Sequence, residues 1–105
     1  MRKPILSSRS DDSEAAEQIE GFIVTLAERV DGLQDAEFKG DLEELATMAH
    51  MLGNSALELG FDLLATSASD LERCCRSDSV EQVRETLIDL TEIAKRVRMG
   101  HRGSV

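Results

Sequence analysis

The sequence of 105 residues contains few aromatic, proline or cysteine residues: three Phe, no Trp, no Tyr, one Pro and two Cys. Cys74 and Cys75 are adjacent, so they cannot easily bridge each other within a helix, and neither a disulfide framework nor a zinc-binding spacing is present. No apolar run approaches the roughly 20 residues that a membrane-spanning helix needs. The N-terminus is too short for a secretion signal, since no adequate apolar stretch follows it, and we therefore expect a cytoplasmic protein.

Basic residues are scarce in the central part of the chain. Between Asp11 and Glu92 there are 21 acidic and five basic residues, which leaves this segment with a net charge of −16. Because a phosphate backbone is bound through a basic surface, this charge argues against a nucleic-acid partner. The sequence also has no phosphate-binding glycine-rich loop and no nucleotide motif, which argues against ATP-dependent kinase activity.

The residues that are abundant favour or tolerate helix, and apolar positions recur at spacings of three and four in four segments. We predict one all-α domain, an antiparallel up-down-up-down four-helix bundle over residues 11–99, with a flexible N-terminal arm (1–10) and a flexible C-terminal tail (100–105). Gly40-Asp41 and Gly60 mark helix boundaries, whereas a break at Asp31-Gly32 is undecided. The predicted core positions are Ile19, Phe22, Ile23, Leu26, Val30 and Leu33 in the first helix, Leu42, Leu45, Ala49, Leu52, Ala56 and Leu59 in the second, Leu63, Leu64, Ala68, Leu71 and Cys75 in the third, and Val83, Leu87, Leu90, Ile93, Ala94 and Val97 in the fourth.

One of the two histidines, His50, is not explained by the core. At 100° per residue it lies more than roughly 100° from the centre of the apolar face of the second helix, so we expect it on the flank or outside of the bundle. An exposed imidazole is mostly neutral at pH 7, and one of its nitrogens then carries a lone pair that can attack phosphorus. Helical position alone favours the simpler interpretation of a surface histidine that has no role.

The residues around His50 carry more information. Gly40-Asp41, Leu45, Ala49-His50, Leu52, Ser55-Ala56 and Leu59-Gly60 match, in register and without a gap, the pattern Gly-Asp, Leu, Ala-His-x-Leu-Lys-Gly-Ser-Ser/Ala-x-x-Leu-Gly. This segment resembles the signature of the histidine phosphotransfer (HPt) domain family, and Leu71-Glu72 fits the third helix of that family.

The resemblance implies a four-helix bundle of a two-component phosphorelay that carries a phosphoryl group on His50 to or from the aspartate of a response-regulator receiver domain. Such a protein is a phosphocarrier more than an enzyme, and it acts with a receiver or a hybrid sensor histidine kinase. It has no cofactor of its own, since the receiver brings the magnesium ion, and a monomer is the simplest expectation. The expected phosphosite neighbours and docking residues are Ala46, Thr47, Met51, Gly53, Asn54, Leu57 and Glu58.

Two positions next to His50 depart from the family pattern. Gly53 stands where the family has Lys, so a positive charge near the phosphate is missing, and Asn54 stands where the family has a Gly that gives the receiver close access. A small residue still lies beside His50 at position 53. Close approach of a partner and sequence drift are both possible reasons for this glycine, which costs roughly 1 kcal/mol in a helix interior.

These departures leave two alternative functions open. The missing Lys favours a helical adaptor that binds a response regulator or sensor kinase without phosphotransfer. An Asn four residues after His resembles the His-acid-x-x-Asn/Thr pattern of sensor-kinase helices, so Asn54 suggests phosphatase activity toward a receiver, although Met51 takes the place of the acidic residue.

Overall fold

The computed structural model describes residues 5–7 and 13–103, with the side chains of 5–7 and 16–100. Within these ranges the chain forms four α-helices and no strand: α1 (Ser13–Lys39), α2 (Leu42–Glu58), α3 (Asp62–Arg76) and α4 (Val80–Gly103). α1 and α3 both pack against α2 and α4, which makes a four-helix bundle. The predicted all-α fold is confirmed.

The connections between helices are short, and two of them contain a glycine in the left-handed region. Gly40 (φ +75°) follows α1 and Gly60 (φ +81°) follows α2, where a Cβ would be disfavoured. Asp41 then caps α2, because its carboxylate accepts a hydrogen bond from the backbone N–H of Glu44 at 3.0 Å. Connections of two or three residues bring successive helices back alongside each other.

Contacts between helices have the register of antiparallel neighbours. Gln34 of α1 contacts Thr91 of α4, and Glu37, further along α1, lies near Arg84, which comes earlier in α4. The same reversal relates α2 to α3, because His50 contacts Glu72 whereas residue 53 faces residues 65 and 68.

The core contains most of the positions that periodicity predicts, with one clear exception. Leu63 is 56% exposed, so its assignment to the core is wrong. The buried face of α3 is set by Leu64, Ala68, Leu71 and Cys75, and Leu63 lies one residue, or about 100°, before that face. Ile19, Leu42 and Ile93 are only partly buried.

α1 continues without a break through Asp31-Gly32. A Cβ at Gly32 would lie 2.6 Å from Met48 Cε, so the glycine leaves room for a side chain of α2. Close packing between helices, and not a change of chain direction, accounts for this glycine.

Residues 5–7, which we predicted to belong to a flexible arm, lie against the bundle. Ile5 is buried and its N–H donates to the carbonyl of Arg96 at 2.9 Å, while the Ser7 hydroxyl donates to the carbonyl of Leu59. A Cβ at Gly100 would lie 2.5 Å from the Ile5 carbonyl oxygen, so this crossing requires glycine. The physical reason is that the apolar side chain of Ile5 is buried against the bundle. The rest of the predicted arm lies outside the described residues.

α4 extends to Gly103, beyond the predicted start of the C-terminal tail at residue 100, and residues 104–105 lie outside the described part. None of the helices, over the residues that the structure describes, is both long enough and apolar enough to cross a membrane.

Candidate functional site

His50 lies in the middle of α2 with its ring at the surface, and 56% of its side chain is exposed. The opposite face of α2 buries Leu45, Ala49, Leu52 and Ala56, and this face fixes the rotation of the helix about its axis. The predicted exposure of His50 is therefore confirmed. The ring faces α3, which contains its hydrogen-bond partner.

The partner is Glu72 of α3, whose Oε1 lies 3.0 Å from His50 Nδ1. The other carboxylate oxygen of Glu72 accepts hydrogen bonds from Arg76, one turn later, at 3.1 Å from Nε and 2.9 Å from a terminal nitrogen. Desolvation acts to raise the pKa of Glu72, but the hydrogen bonds and charges of His50 and Arg76 outweigh it and the pKa is lowered. Glu72 is therefore an ionised carboxylate at neutral pH.

An ionised carboxylate only accepts hydrogen bonds, so the bond between the two residues requires a proton on His50 Nδ1. In a neutral imidazole the lone pair is then on Nε2. Glu72 thus fixes the tautomer and the orientation of the ring, and it leaves Nε2 as the nitrogen that can act as a nucleophile.

Asn54, one turn after His50, lies against this second nitrogen. Its Nδ2 is 3.3 Å from Nε2, and with the lone pair on Nε2 the amide is the donor. His50, Gly53, Asn54 and Leu57 line one side of a cleft of about 240 Å³ whose other side is formed by α3. A Cβ at Gly53 would lie 3.4 Å from Ala68 Cβ, an ordinary contact, so helix packing does not require glycine there.

The residues that the sequence groups around His50 do not all reach the surface. Met51 and Leu57 are 57% and 63% exposed, and Thr47 and Glu58 are exposed as well. Ala46 is only 3% exposed and belongs to the core, so its place among the docking residues is a wrong prediction. It follows the core residue Leu45 directly, on the side of α2 that faces into the bundle.

Sequence reasoning missed the α3 half of the site, above all Glu72 and Arg76. The match of Leu71-Glu72 to the third helix of the family was the one available signal. Periodicity places Glu72 off the core face but does not say which helix that side faces. The same cleft also includes Ala65 and Ser69 of α3.

Two other reactive groups, the thiols of Cys74 and Cys75, lie away from this cleft. Burial raises the pKa of the Cys75 thiol to about 11, so this thiol is neutral at physiological pH, and Cys74 contacts the hydroxyl of Thr86. Among the described residues, no three His, Cys, Asp or Glu side chains come together as a metal site.

Comparison with protein families places this geometry in context. A model of the Hpt domain family matches residues 17–100, a range that contains all of α2 and α3 with His50, Asn54 and Glu72. Comparison with curated proteins and with solved structures finds no match.

Proposed function

The chain belongs to the Hpt domain family, and we propose that it carries a phosphoryl group on Nε2 of His50, to or from the aspartate of a receiver domain in a two-component phosphorelay. The observation that carries the proposal is the bond between His50 Nδ1 and Glu72, at 3.0 Å. It selects the neutral tautomer in which Nε2, the nitrogen that does not contact Glu72, has the lone pair.

In the proposed reaction, Nε2 attacks the phosphorus of the receiver's aspartyl phosphate. The nitrogen–phosphorus bond forms as the bond from phosphorus to the aspartate oxygen breaks, and the aspartate leaves as a carboxylate. The Nδ1 proton stays in the hydrogen bond to Glu72, whose negative charge stabilises the positive charge that develops on the ring. The reverse sequence returns the phosphoryl group to a receiver.

The partner supplies the remaining parts. Among the described side chains no metal site is formed, and we propose that the magnesium ion belongs to the receiver. The exposed apolar side chains of Met51 and Leu57 flank His50 on α2 and, with Thr47 and Glu58 nearby, form the proposed docking surface.

The test is incubation with a phosphorylated receiver. Wild-type protein and a His101→Gln variant should both acquire an acid-labile phosphate, and His50→Gln should not. The two histidines are the only ones in the chain, so this pair of variants assigns the phosphate. Phosphate on His50→Gln, or none on the wild type, would refute the proposal.

The adaptor alternative rests on Gly53, which leaves the site without the family's lysine. It expects a stable receiver complex with His50→Ala and no phosphate transfer by the wild type. The phosphatase alternative rests on Asn54, whose amide lies beside His50. It expects an Asn54→Ala variant to lengthen the lifetime of the phosphorylated receiver, and an unchanged lifetime would contradict it.

A further inference from the structure

Asn54 is the only asparagine in the chain, and its amide contacts the nitrogen that we assign as the nucleophile. Because Glu72 holds the proton on Nδ1, Nε2 of the neutral ring accepts at this contact, and an N–H of Asn54 donates to it at 3.3 Å. A lone pair that accepts a hydrogen bond is less available for attack on phosphorus.

We propose, on the basis of the phosphotransfer function above, that Asn54 caps the lone pair of Nε2 in the unphosphorylated protein. The amide has to leave Nε2 before phosphorus is attacked, so Asn54 is a positioning residue that lowers the reactivity of His50 toward small phosphodonors. The glycine that the family pattern has at this position has no side chain, so it cannot cap Nε2 as Asn54 does.

The surroundings of Asn54 allow the amide to leave. The residue is exposed, and it lines the cleft of about 240 Å³ between α2 and α3. Gly53, beside it, has no side chain to occupy that space. A rotation of the Asn54 side chain therefore needs no movement of the helices.

Phosphoramidate is a suitable probe because it needs no protein partner. Its nitrogen–phosphorus bond breaks, ammonia leaves, and Nε2 forms the new bond to phosphorus while the Nδ1 proton stays in the bond to Glu72. An ordinary hydrogen bond corresponds to roughly a fivefold change in an equilibrium constant. Asn54→Ala should therefore be phosphorylated roughly fivefold faster than the wild type.

Asn54→Asp separates the cap from a merely structural role. Aspartate has nearly the same shape as asparagine, but as a carboxylate it only accepts hydrogen bonds, so it favours a proton on Nε2. Asn54→Asp should then be phosphorylated more slowly than the wild type at neutral pH, whereas Asn54→Ala is faster. If Asn54 acted only by stabilising the helix, both variants would change the rate in the same direction.

The matched control is Gln34→Ala, which removes an exposed amide of α1 that contacts Thr91 on another face of the bundle. Its rate should equal that of the wild type. Nitrogen NMR of the His50 ring gives a second readout, because loss of the cap should move the Nε2 resonance toward that of an unbonded lone pair in Asn54→Ala.

The outcomes distinguish a failure of the proposed Asn54 cap from a failure of the proposed phosphotransfer function. An unchanged Nε2 resonance, or a rate for Asn54→Ala equal to or below that of the wild type, overturns the cap. If no variant and no wild-type protein forms phosphohistidine with phosphoramidate or with a phosphorylated receiver, the proposed function fails, and the Nε2 resonance still decides whether Asn54 caps the ring.

Discussion

Replacement of Glu72 by glutamine should slow phosphotransfer through His50 without disturbing the fold. Gln has nearly the same shape as Glu, and its side-chain oxygen can still accept the hydrogen bond from Nδ1, which lies 3.0 Å from the carboxylate in the wild type. The variant therefore keeps the bond to Nδ1 and the ring orientation and removes the negative charge, although its amide nitrogen cannot accept the hydrogen bonds that Arg76 donates to the second carboxylate oxygen.

The size of the effect follows from the charge that develops on the ring. Because 56% of the His50 side chain is exposed, a dielectric close to that of water is the conservative choice. A full charge opposite the carboxylate at 3.0 Å then contributes about 1.4 kcal/mol, which corresponds to roughly a tenfold change in rate. Glu72→Ala, which also removes the acceptor for Nδ1–H, should be slower still.

The assay is the rate of phosphate transfer from a phosphorylated receiver at saturating receiver concentration, so that differences in docking do not contribute. The matched control is Asp70→Asn on the same helix. Asp70 is also paired with an arginine, Arg73, and its substitution changes the net charge by the same amount without touching His50. Its rate should stay within about twofold of the wild type.

Two results would refute this reasoning. A rate for Glu72→Gln equal to that of the wild type would mean that the carboxylate does not stabilise the ring in the transition state. Equal slowing by Asp70→Asn would mean that the overall charge of α3, and not the bond to His50, controls the rate.

Three further predictions concern the pH dependence of Glu72, the charge at position 53 and the contact between Gly100 and Ile5. The pKa of Glu72 is lowered in the folded protein, so the ionised carboxylate contributes fully to stability above the usual pKa of glutamate, and this contribution is lost as the pH falls through the folded pKa. The difference in unfolding free energy between wild type and Glu72→Gln should therefore shrink between about pH 5 and pH 3 in urea titrations. Gly53→Lys places an ammonium near the phosphoryl group, and about 1 kcal/mol of attraction in water should shift the transfer equilibrium toward phosphohistidine roughly fivefold, measured with a labelled receiver. Gly100→Ala should destabilise the protein by about 1 kcal/mol in urea unfolding, because its Cβ would lie 2.5 Å from the Ile5 carbonyl oxygen, whereas Gly21→Ala, with nothing within 4 Å, should stabilise it by roughly 0.5–1 kcal/mol. If deletion of residues 1–7 does not remove the penalty of Gly100→Ala, the contact with Ile5 is not its cause.

The sequence by itself determined the fold class and the exposure of His50. Apolar spacings of three and four define one buried face per helix, and a residue such as His50, far from that face, must be near the surface. Glycines at positions 40 and 60 fixed two helix ends, because their positive φ values stop the helix. These are local properties of the chain, so local patterns reveal them.

The wrong predictions of burial arose where the apolar spacing leaves the edge of the buried face uncertain by about one residue. Leu63 and Ala46 each adjoin a true core position, and a step of 100° moves one side chain out to solvent and the other into the bundle. The N-terminal contact of Ile5 was also missed, since a single apolar residue outside a periodic segment gives no signal of where it packs.

Only the tertiary structure decided the chemistry of the site. Glu72 is 22 residues from His50, and periodicity does not say which helices face each other or in what register. The packing of α3 against α2 brings the carboxylate to Nδ1, fixes the proton there and leaves Nε2 facing Asn54. The sequence therefore identified the histidine, and the register of two antiparallel helices decided which of its nitrogens contacts Glu72 and which contacts Asn54.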